Sequence, residues 1–142
     1  MALHPPLPVP DALSGPYWEG LKSGKLLVQR CSKCSSCQFP PKSACQACSS
    51  TELEFVEASG RGKVFSFTET VSGARHPYFQ SISPYLVGIV QLDEQDGLLF
   101  PSNFPGSHYD DLAIGAPVEV EFQEIAEGTV IPQFRLKTAG KE

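Results

Sequence analysis

All five cysteines of the chain fall within residues 31–50, CSKCSSCQFPPKSACQACSS. Two intervening residues let one tight turn aim both thiolates at the same ion, and two such turns complete a tetrahedral site. Three pairs have that spacing: Cys31 with Cys34, Cys34 with Cys37, and Cys45 with Cys48. The spacing therefore predicts a four-thiolate metal site with a spare cysteine, and it leaves two registers open, one beginning at Cys31 and one at Cys34. All-sulfur ligation suits zinc, and second to it iron in a rubredoxin-like electron-transfer site. Few large apolar side chains lie in these twenty residues, so the metal must supply much of their folding free energy.

The 142 residues are enough for one small domain carrying a metal-held appendage, and a hydrophobic fraction of 41% supports a packed core. The N-terminal stretch MALHPPLPVPDALSG lacks the basic start and apolar run of a secretory signal. No segment approaches the roughly 20 apolar residues that span a bilayer. With an odd number of cysteines, the expectation is a cytoplasmic protein in a reducing compartment with no membrane partner. The formal charge of −5 is a poor start for holding a phosphate backbone.

Four prolines within residues 1–10 predict an extended arm. A short helix follows, with Ser14 as its cap, Pro16 in its first turn and Gly24 as its stop. Tyr17 and Leu21 share one face at i,i+4 with Trp18 beside them. A helix this short needs to dock, either on its own chain or on a partner. Residues 26–30 read as a strand entering the cysteine segment and 52–57 as a strand leaving it. Beyond Gly60-Arg61-Gly62 the pattern is all β: 63–71, 84–92, 98–100, 118–122 and 133–137 are rich in alternating apolar residues. Five or six such strands suit a small closed or nearly closed barrel. The expected division is 1–25 for arm and helix, 26–58 for the metal segment, and 59–142 for the barrel. Two loops, 72–83 and 104–111, carry the aromatic and histidine residues left over, either as barrel caps or as recognition surface.

In their order, Tyr17-Trp18-Glu19-Gly20-Leu21, Gln29-Arg30-Cys31-x-x-Cys34, Phe39-Pro40-Pro41, Cys45-x-x-Cys48 and Gly60-Arg61-Gly62 resemble the DUF35-type family. Members of that family join a zinc ribbon to an OB-fold and accompany thiolases and other acyl-CoA enzymes. Pro84-Tyr85, Leu92-Asp93-Glu94 and Leu112-x-Ile114-Gly115 continue the resemblance, which runs from about residue 14 to 137. It implies a mainly β fold with an N-terminal helix, a rubredoxin-like ribbon and a small OB-fold β-barrel. It favours Cys31, Cys34, Cys45 and Cys48 as ligands of a structural Zn2+, with Cys37 spare. It implies an accessory subunit whose thiolase-like partner carries the catalytic cysteine and acts on a CoA thioester. Some relatives serve aldolases or hydratases, and one completes a benzoylsuccinyl-CoA thiolase-like enzyme of aromatic degradation. The family usually has glycine where Ser35 and Ser49 stand, which predicts altered turns here.

A self-sufficient enzyme needs a nucleophile, a base and an oxyanion-stabilising group in one pocket. His4, His76 and His108 form no such pattern with Cys37, so no catalytic residues are expected on this chain. The alternative function is a single-stranded nucleic-acid-binding OB-fold, which calls for stacking aromatics in a basic groove. Phe65 and Phe67 have only Lys63 near them, and 118–124 is acidic, so nucleic acid is not expected as a partner. Arg61, Lys63, Arg75 and His76 are the candidates for CoA phosphate contacts, and Tyr17, Trp18 and Leu21 for the partner interface.

Overall fold

The computed structural model describes residues 4–137. Helix α1 spans Gly15–Lys22. Strands β1 (Leu27–Cys31), β2 (Cys37–Gln38) and β3 (Leu53–Glu57) form an antiparallel sheet in the order β2-β1-β3. A second antiparallel sheet has the order β6-β5-β4-β7-β8, from β4 (Arg61–Thr70), β5 (Tyr85–Leu92), β6 (Leu99–Asn103), β7 (Pro117–Ala126) and β8 (Thr129–Leu136). A six-residue helix, α2 (Pro77–Ile82), stands in the connection between β4 and β5, where only a loop was expected.

Helix α1 starts differently from its expected cap. Ser14 makes no forward side-chain bond to the helix. Instead its N–H donates to Asp11 Oδ1 (2.7 Å), and the Asp11 N–H donates to Ser14 Oγ (3.1 Å). The reciprocal pair satisfies two backbone donors one turn earlier, as a capping box does. The C-terminus follows expectation: Gly24, at φ +75°, donates its N–H to the Leu21 carbonyl.

The second sheet is strongly curled but is not closed by a backbone ladder among the described residues. Its edges meet through side chains. Phe134 N–H donates to Ser102 Oγ and Asn103 N–H to Gln133 Oε1, both at 3.1 Å. Pro101 lies on β6 and Pro132 on β8, so each facing edge lacks a donor that a ladder would use. The expected barrel is thus an OB-like sheet whose seam is stitched by polar side chains. Phe65 is an extra residue in β4, where the register with β5 shifts between Val64 and Ser66, and a bulge of this kind bends its strand.

One apolar cluster joins all parts. Val64, Val90, Leu92, Phe100, Val118 and Phe134 of the second sheet pack with Tyr17 and Leu21 of α1 and with Leu26 and Val28 at the first sheet's root. Phe39 is the wedge between the sheets: its ring stacks on Phe100 at 3.8 Å and lies 5.1 Å from Tyr17. Gly60 makes the joint between β3 and β4. It has φ +81°, and a Cβ there would fall 2.5 Å from Val120 Cγ1.

Candidate metal centre and its surroundings

Two turns of the same build present the cysteines. In the first, Ser35 N–H donates to the Cys31 carbonyl (2.8 Å), Cys31 N–H donates to the Ser36 carbonyl (2.9 Å), and Lys33 N–H donates to Cys31 Sγ (3.4 Å). The second repeats this around Cys45: Ser49 N–H to the Cys45 carbonyl (2.9 Å), Cys45 N–H to the Ser50 carbonyl (2.8 Å), and Ala47 N–H to Cys45 Sγ (3.3 Å). Ser35 and Ser49 take φ +67° and +66°, the left-handed conformation that glycine adopts at least cost. The serines therefore keep the turn geometry expected of glycine and bear its strain.

The turns bring the sulfurs of Cys31, Cys34, Cys45 and Cys48 within 4.8 Å of one another. Cys31 Sγ lies 3.6 Å from Cys48 Sγ, and Cys34 Sγ 3.6 Å from Cys45 Sγ. A regular tetrahedron of Zn–S bonds of about 2.3 Å has edges of about 3.8 Å, so the donor set fits zinc. Electrostatics agree with that fit. The N–H of Cys34, aided by that of Lys33, pulls the Cys31 thiol down to about 6. The N–H groups of Cys48 and Ala47 lower Cys45 in the same way. Ser50 N–H acts to lower Cys48, but contact with Cys31, Cys34 and Cys45 outweighs it and pushes that thiol up to about 12. Four thiolates this close need a cation among them.

Cys37 stands outside the cluster, half-buried on β2, where burial pushes its thiol up. Its backbone is held by Gln95 in the β5–β6 turn: Cys37 N–H donates to Gln95 Oε1 (2.8 Å), and Gln95 Nε2 donates to the Cys37 carbonyl (2.9 Å). The excursion between the two cysteine turns is held by a pair of buried glutamines. Gln29 Nε2 donates to the Lys42 carbonyl, and Gln29 Oε1 accepts from Lys42 N–H and from Gln38 Nε2. Gln38 Oε1 accepts from Gln46 N–H in the second turn. Sequence reasoning missed all three glutamines. Only Gln38, between Cys37 and Phe39, carried a local signal; Gln29 precedes the charged Arg30, and Gln95 sits between Glu94 and Asp96 in a turn.

Arg61 and Lys63 are exposed at the start of β4, and Arg75 and His76 are exposed in the segment that follows its other end. His76 Nδ1 accepts from Tyr78 N–H and caps α2. Of the three residues expected at a partner interface, Tyr17 and Leu21 are 5% and 1% exposed within the chain's own core. The apolar face of α1 packs on β1 and β8 of the same chain. Trp18 is half-buried and keeps an accessible edge. Among the described residues, no helix is long and apolar enough to cross a membrane.

Residues 18–54 match the family described as ChsH2, rubredoxin-like zinc ribbon domain, and residues 55–123 match ChsH2, C-terminal OB-fold domain. The chain is similar to the solved structure described as Ltp2-ChsH2(DUF35) aldolase, with a TM-score of 0.80 and 32% identity, covering 91% of this chain and 98% of that one. It is 34% identical over 119 residues to a probable enoyl-CoA hydratase alpha subunit of Thermomonospora curvata, covering 84% of this chain and 36% of that protein. It is 35% identical over 85 residues to the benzoylsuccinyl-CoA thiolase subunit BbsA of Thauera aromatica, covering 60% of this chain and 55% of that protein. It therefore spans only part of the length of both curated relatives.

Proposed function

The chain belongs to the ChsH2 (DUF35) family, in which a rubredoxin-like zinc ribbon precedes an OB-fold domain, and from that membership we propose a non-catalytic accessory subunit of a thiolase-type complex acting on acyl-CoA thioesters. One observation carries the reading. The same module recurs in proteins named for three reactions, a hydratase, a thiolase and an aldolase. Adding water to a double bond, cleaving a ketone-bearing thioester with CoA, and retro-aldol cleavage require different catalytic groups. A module shared by all three is better suited to assembly than to chemistry, and two of the three names share a CoA thioester. The Thauera relative supports the thiolase class, with aromatic degradation as the narrower assignment.

Catalysis then runs on the partner. A cysteine thiolate there attacks the keto carbonyl, the carbon–carbon bond breaks to expel the enolate of one CoA thioester, which takes up a proton, and the thiol of free CoA then takes the acyl group off the cysteine as a second CoA thioester. Oxyanion donors stabilise the tetrahedral intermediates. On this chain Cys31, Cys34, Cys45 and Cys48 would hold a structural zinc, with residues 26–58 as the ribbon and 59–142 as the OB unit. Arg61 and Lys63, which remain together on one rim, are the pair we assign to CoA phosphates. The thiols and the formal charge of −5 suit a reducing cytoplasm and disfavour nucleic acid. Co-expression with a thiolase-like catalytic subunit tests the reading: the pair should elute as one complex, and turnover of a CoA thioester should need both chains. A catalytic subunit that neither binds this chain nor gains activity from it refutes the assignment.

A further inference from the structure

Within residues 4–10, Pro5 and Pro8 are half-buried, while His4, Pro6, Leu7, Val9 and Pro10 are exposed. Burial at every third residue is the period of a polyproline II helix, which has three residues per turn and no internal hydrogen bonds. Pro5–Pro8 form one wall of an apolar cavity of about 340 Å3, and Trp18 of α1, Tyr78 and Phe79 of α2, and Ile131 of β8 stand across it. Trp18 also lines the adjoining cleft beside Pro8 and Pro10. Aromatic-walled grooves of this kind bind Pro-x-x-Pro segments, because the rigid helix loses little entropy on docking. Pro5-Pro6-Leu7-Pro8 has that spacing. Among the described residues, no backbone hydrogen bond ties 4–10 to the rest of the chain. Four of these seven residues are prolines, which carry no N–H. Among the described residues, 4–10 are held to the rest of the chain by packing, as a docked ligand is.

We propose that Trp18, Tyr78, Phe79 and Ile131 form a polyproline-binding site that Pro5–Pro8 of the same chain occupies in cis. The groove continues into a second cleft of about 420 Å3, with which it shares Phe79, Asn103, Ile131 and Gln133. The docked arm therefore walls one of two neighbouring clefts, and its release exposes the aromatic side of that cleft. This inference stands independently of the accessory-subunit reading.

Deleting residues 1–9 leaves the Asp11–Ser14 helix start in place and empties the site. The synthetic peptide HPPLPVP should then bind the shortened chain saturably, read by Trp18 emission and by calorimetry. The full chain should bind the same peptide at least about tenfold more weakly, because a short tether gives the arm a millimolar effective concentration. The peptide carrying Pro5→Ala and Pro8→Ala should not bind. A folded shortened chain that ignores the peptide, or that binds the alanine peptide equally well, overturns the proposal. Should the shortened chain fail to fold, the full chain carrying Pro5→Ala and Pro8→Ala decides. Its Trp18 emission should shift to the red, and an unchanged spectrum overturns the proposal.

Discussion

The ribbon and the OB-like sheet solve the same problem with different physics. The sheet buries Val64, Leu86, Val90, Leu92, Phe100, Phe104, Val118 and Phe134, and so rests on transfer of apolar surface from water. Between residues 31 and 50 the fully buried side chains are Cys31, Gln38 and Cys45. That tip has no hydrophobic core of its own; four sulfurs and a glutamine network stand in for one. Leu26 and Val28, buried at the ribbon's root, join the sheet's cluster, with Phe39, Phe55 and Val56 packed against it. The contrast teaches where each region fails: the sheet should respond to cavities, the tip to loss of metal or of a hydrogen bond.

Removing the metal should break the comparison most widely open. Structural zinc contributes about 10–16 kcal/mol in finger peptides at neutral pH, far more than the tip can replace. With a chelator present, amides of 31–50 should exchange nearly freely while those of 61–136 stay protected, as hydrogen exchange read by mass spectrometry would show. Metal content sharpens the register. Cys31→Ser should lose the zinc and Cys37→Ser keep it, and the reverse pattern would move the site to Cys34 and Cys37.

Phe100→Ala attacks the other side. Emptying a buried ring costs about 3–5 kcal/mol, and denaturant melts should show it. Because Phe39 stacks on this ring, ribbon-root amides should loosen together with the sheet while zinc stays bound.

Gln95→Ala tests the joint between the two regions. Losing both bonds to Cys37 should cost about 1–2 kcal/mol. Faster exchange of the Cys37 amide, with zinc content unchanged, is the expected signature; an unaltered Cys37 amide would deny the clamp. The smallest effect should come from Ser35→Gly or Ser49→Gly. Relief of the left-handed backbone should stabilise each turn by about 0.5–1 kcal/mol, read as greater resistance to a competing chelator.

What was legible in the sequence follows from how local the cause is. The Cys-x-x-Cys turns, the Gly24 stop and the alternating strands depend on neighbours a few residues away, and they stand near where the pattern puts them. The fate of Tyr17 and Leu21 was open because periodicity gives an apolar face and not what covers it; here β1 and β8 do, with Phe39 and Phe100 against Tyr17. The seam between β6 and β8 depends on Ser102 meeting Phe134 across 32 positions of chain, and no local pattern reports such a meeting. Gln95 and Cys37 are 58 residues apart and equally silent.

Gly60 has a consequence for how such a chain can drift over generations. A positive φ together with the nearness of the Val120 side chain disfavours every other encoded amino acid at this position, by backbone conformation and by space at once. Gly24 and Gly73 share the positive φ but have open surroundings, so substitutions there meet backbone strain alone. In a saturation library screened for folded protein, codon 60 should return glycine and little else, while codons 24 and 73 should return a mixed population led by glycine and asparagine. The junction between ribbon and sheet is then a fixed letter in a text whose flanking turns can be rewritten, and recombination that exchanges one unit for a relative's must carry that letter with it.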